Sequence, residues 1–212
     1  MVLDAMAVAA ADDIRVRQRA LAADAETAGA GIEPAFVPER ERFGGYSHRE
    51  IWEQVREALD PAALGTAAAA WQAGAGALGA AFETFRAATH REFADWTGQS
   101  ADAAVRATQE LVAQGLGAQE VCDTIRRLLE LNSHAAQTIR GALEPPAEYL
   151  PLADPVAEAV EGGRRRMEHD LAAATAHAEA QDVMTYLYNP TMPATGDSVP
   201  RFAPPTAGGT TR

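Results

Sequence analysis

Leu64, Trp71, Leu78 and Phe85 recur at intervals of seven, and Ala68, Ala75, Phe82, Thr89 and Trp96 fill the positions between them. Alternating steps of four and three mark the a and d positions of a heptad, so both series lie along one stripe of a helix. Asp60-Pro61 supplies the start, with aspartate as N-cap and proline at the first helical position. The same period resumes beyond Trp96-Thr97-Gly98, through Ala104, Thr108, Leu111, Gly115, Ala118, Cys122, Ile125, Leu129, Asn132, Ala136, Ile139 and Leu143. Val105, Val112, Val121 and Leu128 widen that stripe. Between the two patterns, Gly98 can take the positive φ that ends a helix. Thr97 or Ser100 can cap the next helix, and Asp102 favours the dipole in its first turn. Two long helices joined by a tight turn predict an antiparallel hairpin over residues 61–143.

Flanking patterns add further helices. Residues 1–28 read as an N-terminal amphipathic helix, with Leu3, Ala7, Ala10, Ile14 and Leu21 near one face. Residues 29–46, with two prolines and clustered glycines, read as a linker. A short helix to about residue 59 starts at Ser47, with Glu50 completing a capping box and Tyr46 and Ile51 at the staple positions. The stretch 144–155 breaks the pattern. Asp154-Pro155 then starts a third long helix, 155–188, on a weak apolar face of Val156, Val160, Met167, Leu171, Met184 and Leu187. Gly162-Gly163 is expected to bend or fray it and Asn189-Pro190 to end it. Residues 189–212, rich in proline, glycine and threonine, read as a flexible tail. The fold class is therefore all-α: an elongated helical bundle on a long hairpin, with flanking helices and a disordered C-terminal tail.

Composition changes this picture in two ways. The chain has 212 residues and is 47% hydrophobic but only 6% aromatic, and alanine makes up much of the hydrophobic share. Alanine favours helix but buries little area, so the core should be thin. The formal charge is −12 and there is no lysine. That balance excludes a nucleic-acid-binding class, which needs clustered cations, and argues against an anionic-membrane anchor. The start, "MVLDAMAVAAADD", lacks the basic region of a cleavable signal, and no apolar run is long enough for a membrane span.

Candidate chemistry is sparse. No nucleophile elbow, phosphate loop, H-E-x-x-H or paired C-x-x-C occurs, so a non-enzymatic protein without cofactor or metal is expected. His169 and His177 are two turns apart, too far for two ligands on one ion, and the acids near them read as a solvated helix face. Cys122, the only cysteine, sits on the seam and reads as a small buried hydrophobe. Arg164-Arg165-Arg166 reads as a salt-bridged helix surface. Trp96 is not needed to make its turn. On helix physics alone it closes the core at the end of the seam made by Leu64, Trp71, Leu78, Phe82 and Phe85, and continued by Leu111, Cys122, Ile125, Leu129 and Ile139.

A Trp-x-Gly turn, Trp96-Thr97-Gly98, between two long alanine-rich helices resembles the WXG superfamily of type VII (ESX) secretion substrates. "SHREIWEQV", "LDPAALGTAAAAWQ", "FETFR", "WTGQSADAA" and the C-terminal "AQDVMTYLYNPTMPATGDSVPRFAPP" resemble its longer, PPE-like and EspB-type actinobacterial branch. The resemblance covers roughly residues 46–205 and makes 47–188 a PPE/WXG-like helical domain. It implies a secreted or envelope-associated, virulence-associated protein, cytoplasmic before export. Such a protein is exported folded, as a dimer or complex, and recognised by the type VII export ATPase. The implied partner is a PE-like or WXG-type helical protein, or a second copy. An oligomeric ring- or pore-like envelope protein and a cytoplasmic homodimeric scaffold are the alternative readings. The family's companion signal, Tyr-x-x-x-Asp/Glu, matches only at Tyr46 and Glu50, where a helix cap equally explains both residues.

Overall fold

Asp154 shows how sequence sets a helix start here: its side chain accepts the Val156 N–H at 3.0 Å, and Pro155 follows at the first helical position. The same Asp-Pro pair precedes the helix that begins at Pro61. The computed structural model describes residues 5–29 and 31–203. Five long or medium helices account for most of them: α1 (Ala5–Thr27), α2 (His48–Ala58), α3 (Pro61–Glu92), α4 (Gln99–Ala142) and α5 (Pro155–Val183). One wide helical turn, Met184–Tyr188, carries α5 into the short α6 (Asn189–Thr191), and a 3₁₀ segment, Pro193–Ser198, follows. The described residues contain no strand, so the fold is all-α.

The chain divides into two compact units. The first comprises Met1–Arg17, Val37–Pro61 and Asn132–Ala194. Its core uses large aliphatic side chains. α2 buries Ile51, Val55 and then Leu59 at its end, on the i, i+4, i+8 spacing of one helix face. The C-terminal turns of α4 bury Ala135, Ala136, Ile139 and Leu143, and the α5 end buries Ala180, Val183, Met184 and Leu187. Arg140 donates to the carbonyls of Leu59 at 2.6 Å and Arg56 at 3.2 Å, supplying partners to the C-terminal end of α2. Ser133 donates to the Pro61 carbonyl at 2.8 Å.

The second unit comprises Gln18–Phe36, Ala62–Leu131 and Thr195–Arg212. Its buried residues are mostly small: Ala25, Ala68, Ala75, Ala101, Val112, Val121 and Cys122, with Leu128 the exception. The thin core expected from alanine content is thus most marked in this unit. Gln18, 2% exposed on α1, donates to the Thr195 hydroxyl at 2.6 Å. Glu33 N–H and Arg201 N–H bond the carbonyls of Val199 and Gly31, flanking an isolated bridge between Ile32 and Pro200.

These contacts correct the expectation of a flexible tail from residue 189. Residues 189–203 are folded, with Thr191, Thr195 and Ser198 buried; residues 204–212 lie outside the described set. Proline and glycine composition missed this because the segment is held by hydrogen bonds, not by a large apolar face. Asn189-Pro190 does not stop the helix either. The Asn189 N–H bonds Met184 five residues back, and the wide turn accommodates a proline that an α-helical ladder would clash with. The linker expected over 29–46 includes a 3₁₀ turn, Phe43–Gly45, whose Phe43 is buried. Gly162-Gly163 leaves α5 unbroken, and Gly162 is buried within it.

Candidate interaction site

The Trp96 corner belongs wholly to the second unit. α3 ends by tightening: Phe93 N–H reaches the Thr89 carbonyl at 3.0 Å, then Ala94 and Trp96 bond residues three back, Arg91 and Phe93, at 3.3 and 3.1 Å. Gly98 follows with φ +94°, a conformation that a side chain disfavours. The Gly98 carbonyl accepts the Asp102 N–H at 3.1 Å, so Gly98 itself occupies the cap position of α4. The capping position expected at Thr97 or Ser100 therefore falls to the glycine, which begins α4.

Trp96 is freed by this arrangement. It is 56% exposed, with its ring tilted against Phe93 at 5.1 Å. It does not close the core: it lies beyond the end of α3, after the tightened turn, and is exposed. Beside it lies a groove of about 690 Å³, lined by Arg86 and His90 from α3, by Phe93 just after it, and by Val105, Val112 and Leu116 from α4. Its floor is apolar, since Val112 is buried while Val105 and Leu116 are partly open. Its rim carries two arginines, Arg86, paired to Glu83 at 2.8 Å, and Arg91 in the last turn of α3. Concave apolar surface with a few charged groups is the ordinary form of a binding groove. Of its residues, Thr89, Val105, Thr108 and Val112 were visible in the periodicity.

The seam residues divide by position. Cys122 and Ile139 are buried; Leu64, Trp71, Leu78, Phe82, Ile125 and Leu129 are half-buried. Phe85 and Leu111, placed on the seam by spacing, are instead exposed, at 38% and 46%. Heptad phase selects a stripe but not how far along it a neighbour reaches. Burial raises the Cys122 thiol above its ordinary range, so it stays a neutral hydrophobe.

Tyr46 and Glu50, in the first unit, are occupied by the helix start. The Ser47 N–H and hydroxyl donate to the Glu50 carboxylate at 2.8 and 2.7 Å, and the Glu50 N–H reaches the Ser47 hydroxyl at 3.3 Å, completing the capping box. The Tyr46 hydroxyl donates to Glu41, its ring packs on Phe43, and its carbonyl lies 2.7 Å from His177 Nε2. The Ser47 bonds hold the Glu50 carboxyl below its usual range. A lowered folded-state pKa stabilises at pH above the unfolded value, roughly 4.3 for glutamate, and that share is lost as pH falls through the folded value. Glu50→Gln is expected to flatten the decline in thermal stability between neutral and acid pH, and Ser47→Ala to lower stability by about 1 kcal/mol at neutral pH. Thermal melts across that range measure both.

Arg164, Arg165 and Arg166 form the salt-bridged surface expected of them. Arg164 pairs with Glu168 at 2.7 Å, and Arg165 and Arg166 approach Glu158 at 3.6 and 3.4 Å. Glu158 also accepts the Tyr149 hydroxyl and the Leu152 N–H, both at 2.8 Å, which lower its pKa and fasten the connector before α5 to the helix. No group of three or more acids, histidines or cysteines suited to a metal occurs among the described residues, and none of their helices is long and apolar enough to cross a membrane. No protein family, curated protein or solved structure matches the chain.

Proposed function

We propose that this chain is a type VII (ESX) secretion-associated protein of the PPE-like, EspB-type kind. On this reading it is a non-enzymatic helical module, exported folded in complex with a helical partner and recognised by the export ATPase. The observation that carries it is Trp96, 56% exposed at a corner that Gly98 makes without it. A tryptophan exposed beside an apolar groove is available to a partner, and tryptophan is enriched where interfaces concentrate their binding energy. The groove beside it gives a helical partner an apolar floor, and the cationic rim on a chain of net charge −12 favours a partner with acidic flanks.

The antiparallel hairpin is part of the same reading. It is supported by two cross-helix neighbours: a methyl group at Gly115 would meet the Phe82 ring, and one at Gly79 would meet the Gln119 amide. From the first pair to the second the α3 position falls from 82 to 79 as the α4 position rises from 115 to 119, as it does when two helices run in opposite directions.

In a host with an active type VII system, Trp96→Ala is expected to keep its helicity and change stability by less than about 1 kcal/mol. The variant should be retained in cells while the parent protein reaches the medium. Circular dichroism and immunoblots of cell and medium fractions measure the two effects. Export of Trp96→Ala at the parent level, or parent export that persists when the system is deleted, overturns the proposal.

A further inference from the structure

α5 is built inside out. Its buried side holds small or short residues, Gly162, Ala180 and Val183, whereas Val156, Val160, Met167 and Leu171 are 72%, 79%, 68% and 72% exposed. These four are not scattered. At 100° per residue they fall within about 60° of one another, on the side opposite Gly162 and Ala180. With Gly163 they step by four, three, four and four, so that Val156 and Val160 return after eleven residues as Met167 and Leu171. An eleven-residue repeat is close to the natural winding of an α-helix, so the stripe runs nearly straight along the rod.

We propose that this stripe is a self-association surface, on which α5 of a second copy of this chain packs antiparallel about a two-fold axis beside Gly163. The stripe is its own complement under that symmetry. Val156 then faces Leu171 of the other copy and Val160 faces Met167, each layer pairing a shorter side chain with a longer one. Gly163, around which an added Cβ would meet nothing within 4 Å, stands at the crossing and lets the two backbones approach closely. On one flank, Glu161 of each copy comes within two residues of level with Arg164 of the other. The in-helix pair they form, 3.7 Å apart and more than half exposed, thereby gains two cross-copy bridges.

The size of the interface sets its strength. Eight large apolar side chains, each removing on the order of 60–120 Å² from water, place it below the standard 1,200–2,000 Å² class unless the flanking stems add much. The dimer should therefore be reversible and concentration-dependent. The surface is independent of the Trp96 corner, and so is its test.

Sedimentation velocity of the full chain from about 1 to about 300 µM should show mass rising from one chain towards two, as a micromolar interface requires. Val160→Glu and Met167→Glu, both at exposed positions, should each weaken dimerisation roughly tenfold or more with helicity unchanged. In a Cys122→Ser background, Gly163→Cys should form an inter-chain disulfide under mild oxidation, whereas Ala172→Cys, on another face, should not. A mixture of Val160→Cys and Met167→Cys chains should cross-link to each other faster than either does to itself. A monomer at every concentration, a dimer indifferent to both glutamates, or Val160→Cys chains cross-linking preferentially to themselves, the mark of parallel helices, overturns the proposal.

Discussion

Ile139→Ala is expected to lower the free energy of unfolding by about 2–5 kcal/mol, the cost of removing buried methylenes and leaving a cavity that the surroundings fill only in part. Ile139 is 1% exposed, on the α4 turns that form the core of the first unit, and the neighbouring Ala135 and Ala136 are as deeply buried. Alanines cannot swing in to fill the void. The same helix carries its own controls at the same heptad phase. Ile125 lies fourteen residues earlier and is half-buried; Leu111 lies fourteen earlier still and is 46% exposed. Ile125→Ala should cost less than Ile139→Ala, and Leu111→Ala should stay within about 1 kcal/mol of the parent. Urea melts of the three variants order the positions. Equal losses at all three would mean that the stripe is buried along its whole length, against the exposures described above.

The second large effect concerns Gly115, where any side chain would run into the Phe82 ring. Gly115→Leu gains about 1 kcal/mol of helix propensity but must displace a half-buried phenyl ring or force the helices apart, for a net loss of about 1–3 kcal/mol. Phe82→Ala alone is also destabilising, through lost burial. The double variant should be more stable than the sum of the two losses, because leucine can occupy the space that the ring vacates. A coupling of about 1 kcal/mol or more is the range for residues in contact. Additive losses would show that positions 82 and 115 do not meet, and would remove one support for reading α3 and α4 as an antiparallel hairpin.

Much of the local structure was legible in the residues. Asp154-Pro155 started α5 and Asp60-Pro61 preceded α3, because an N-cap acceptor and a preset φ act within three residues of each other. Ser47 and Glu50 formed the capping box that their spacing requires, for the same reason. Gly98 was identifiable as the corner, but not as the cap of α4, since several residues in "TGQS" could have served. The folding of residues 189–203 was not legible. It depends on Thr195 meeting Gln18 and on Pro200 lying beside Ile32, partners more than 160 positions away in sequence. No local composition encodes such a partner.

The candidate site divides in the same way. Trp96 stood out as a residue its turn did not need, but its exposure depends on how tightly α3 ends. The groove residues Arg86, His90, Phe93 and Leu116 looked like ordinary surface positions until two helices brought them to one concavity. The sequence by itself determined that the chain is helical, where most helices begin, and which stripe of each is apolar, because capping, propensity and periodicity are properties of neighbours along the chain. Only the tertiary structure decided which part of a stripe is covered. Leu111, Ile125 and Ile139 share one heptad phase on one helix yet run from exposed to fully buried, because burial depends on what lies across the helix, and period alone carries no record of that.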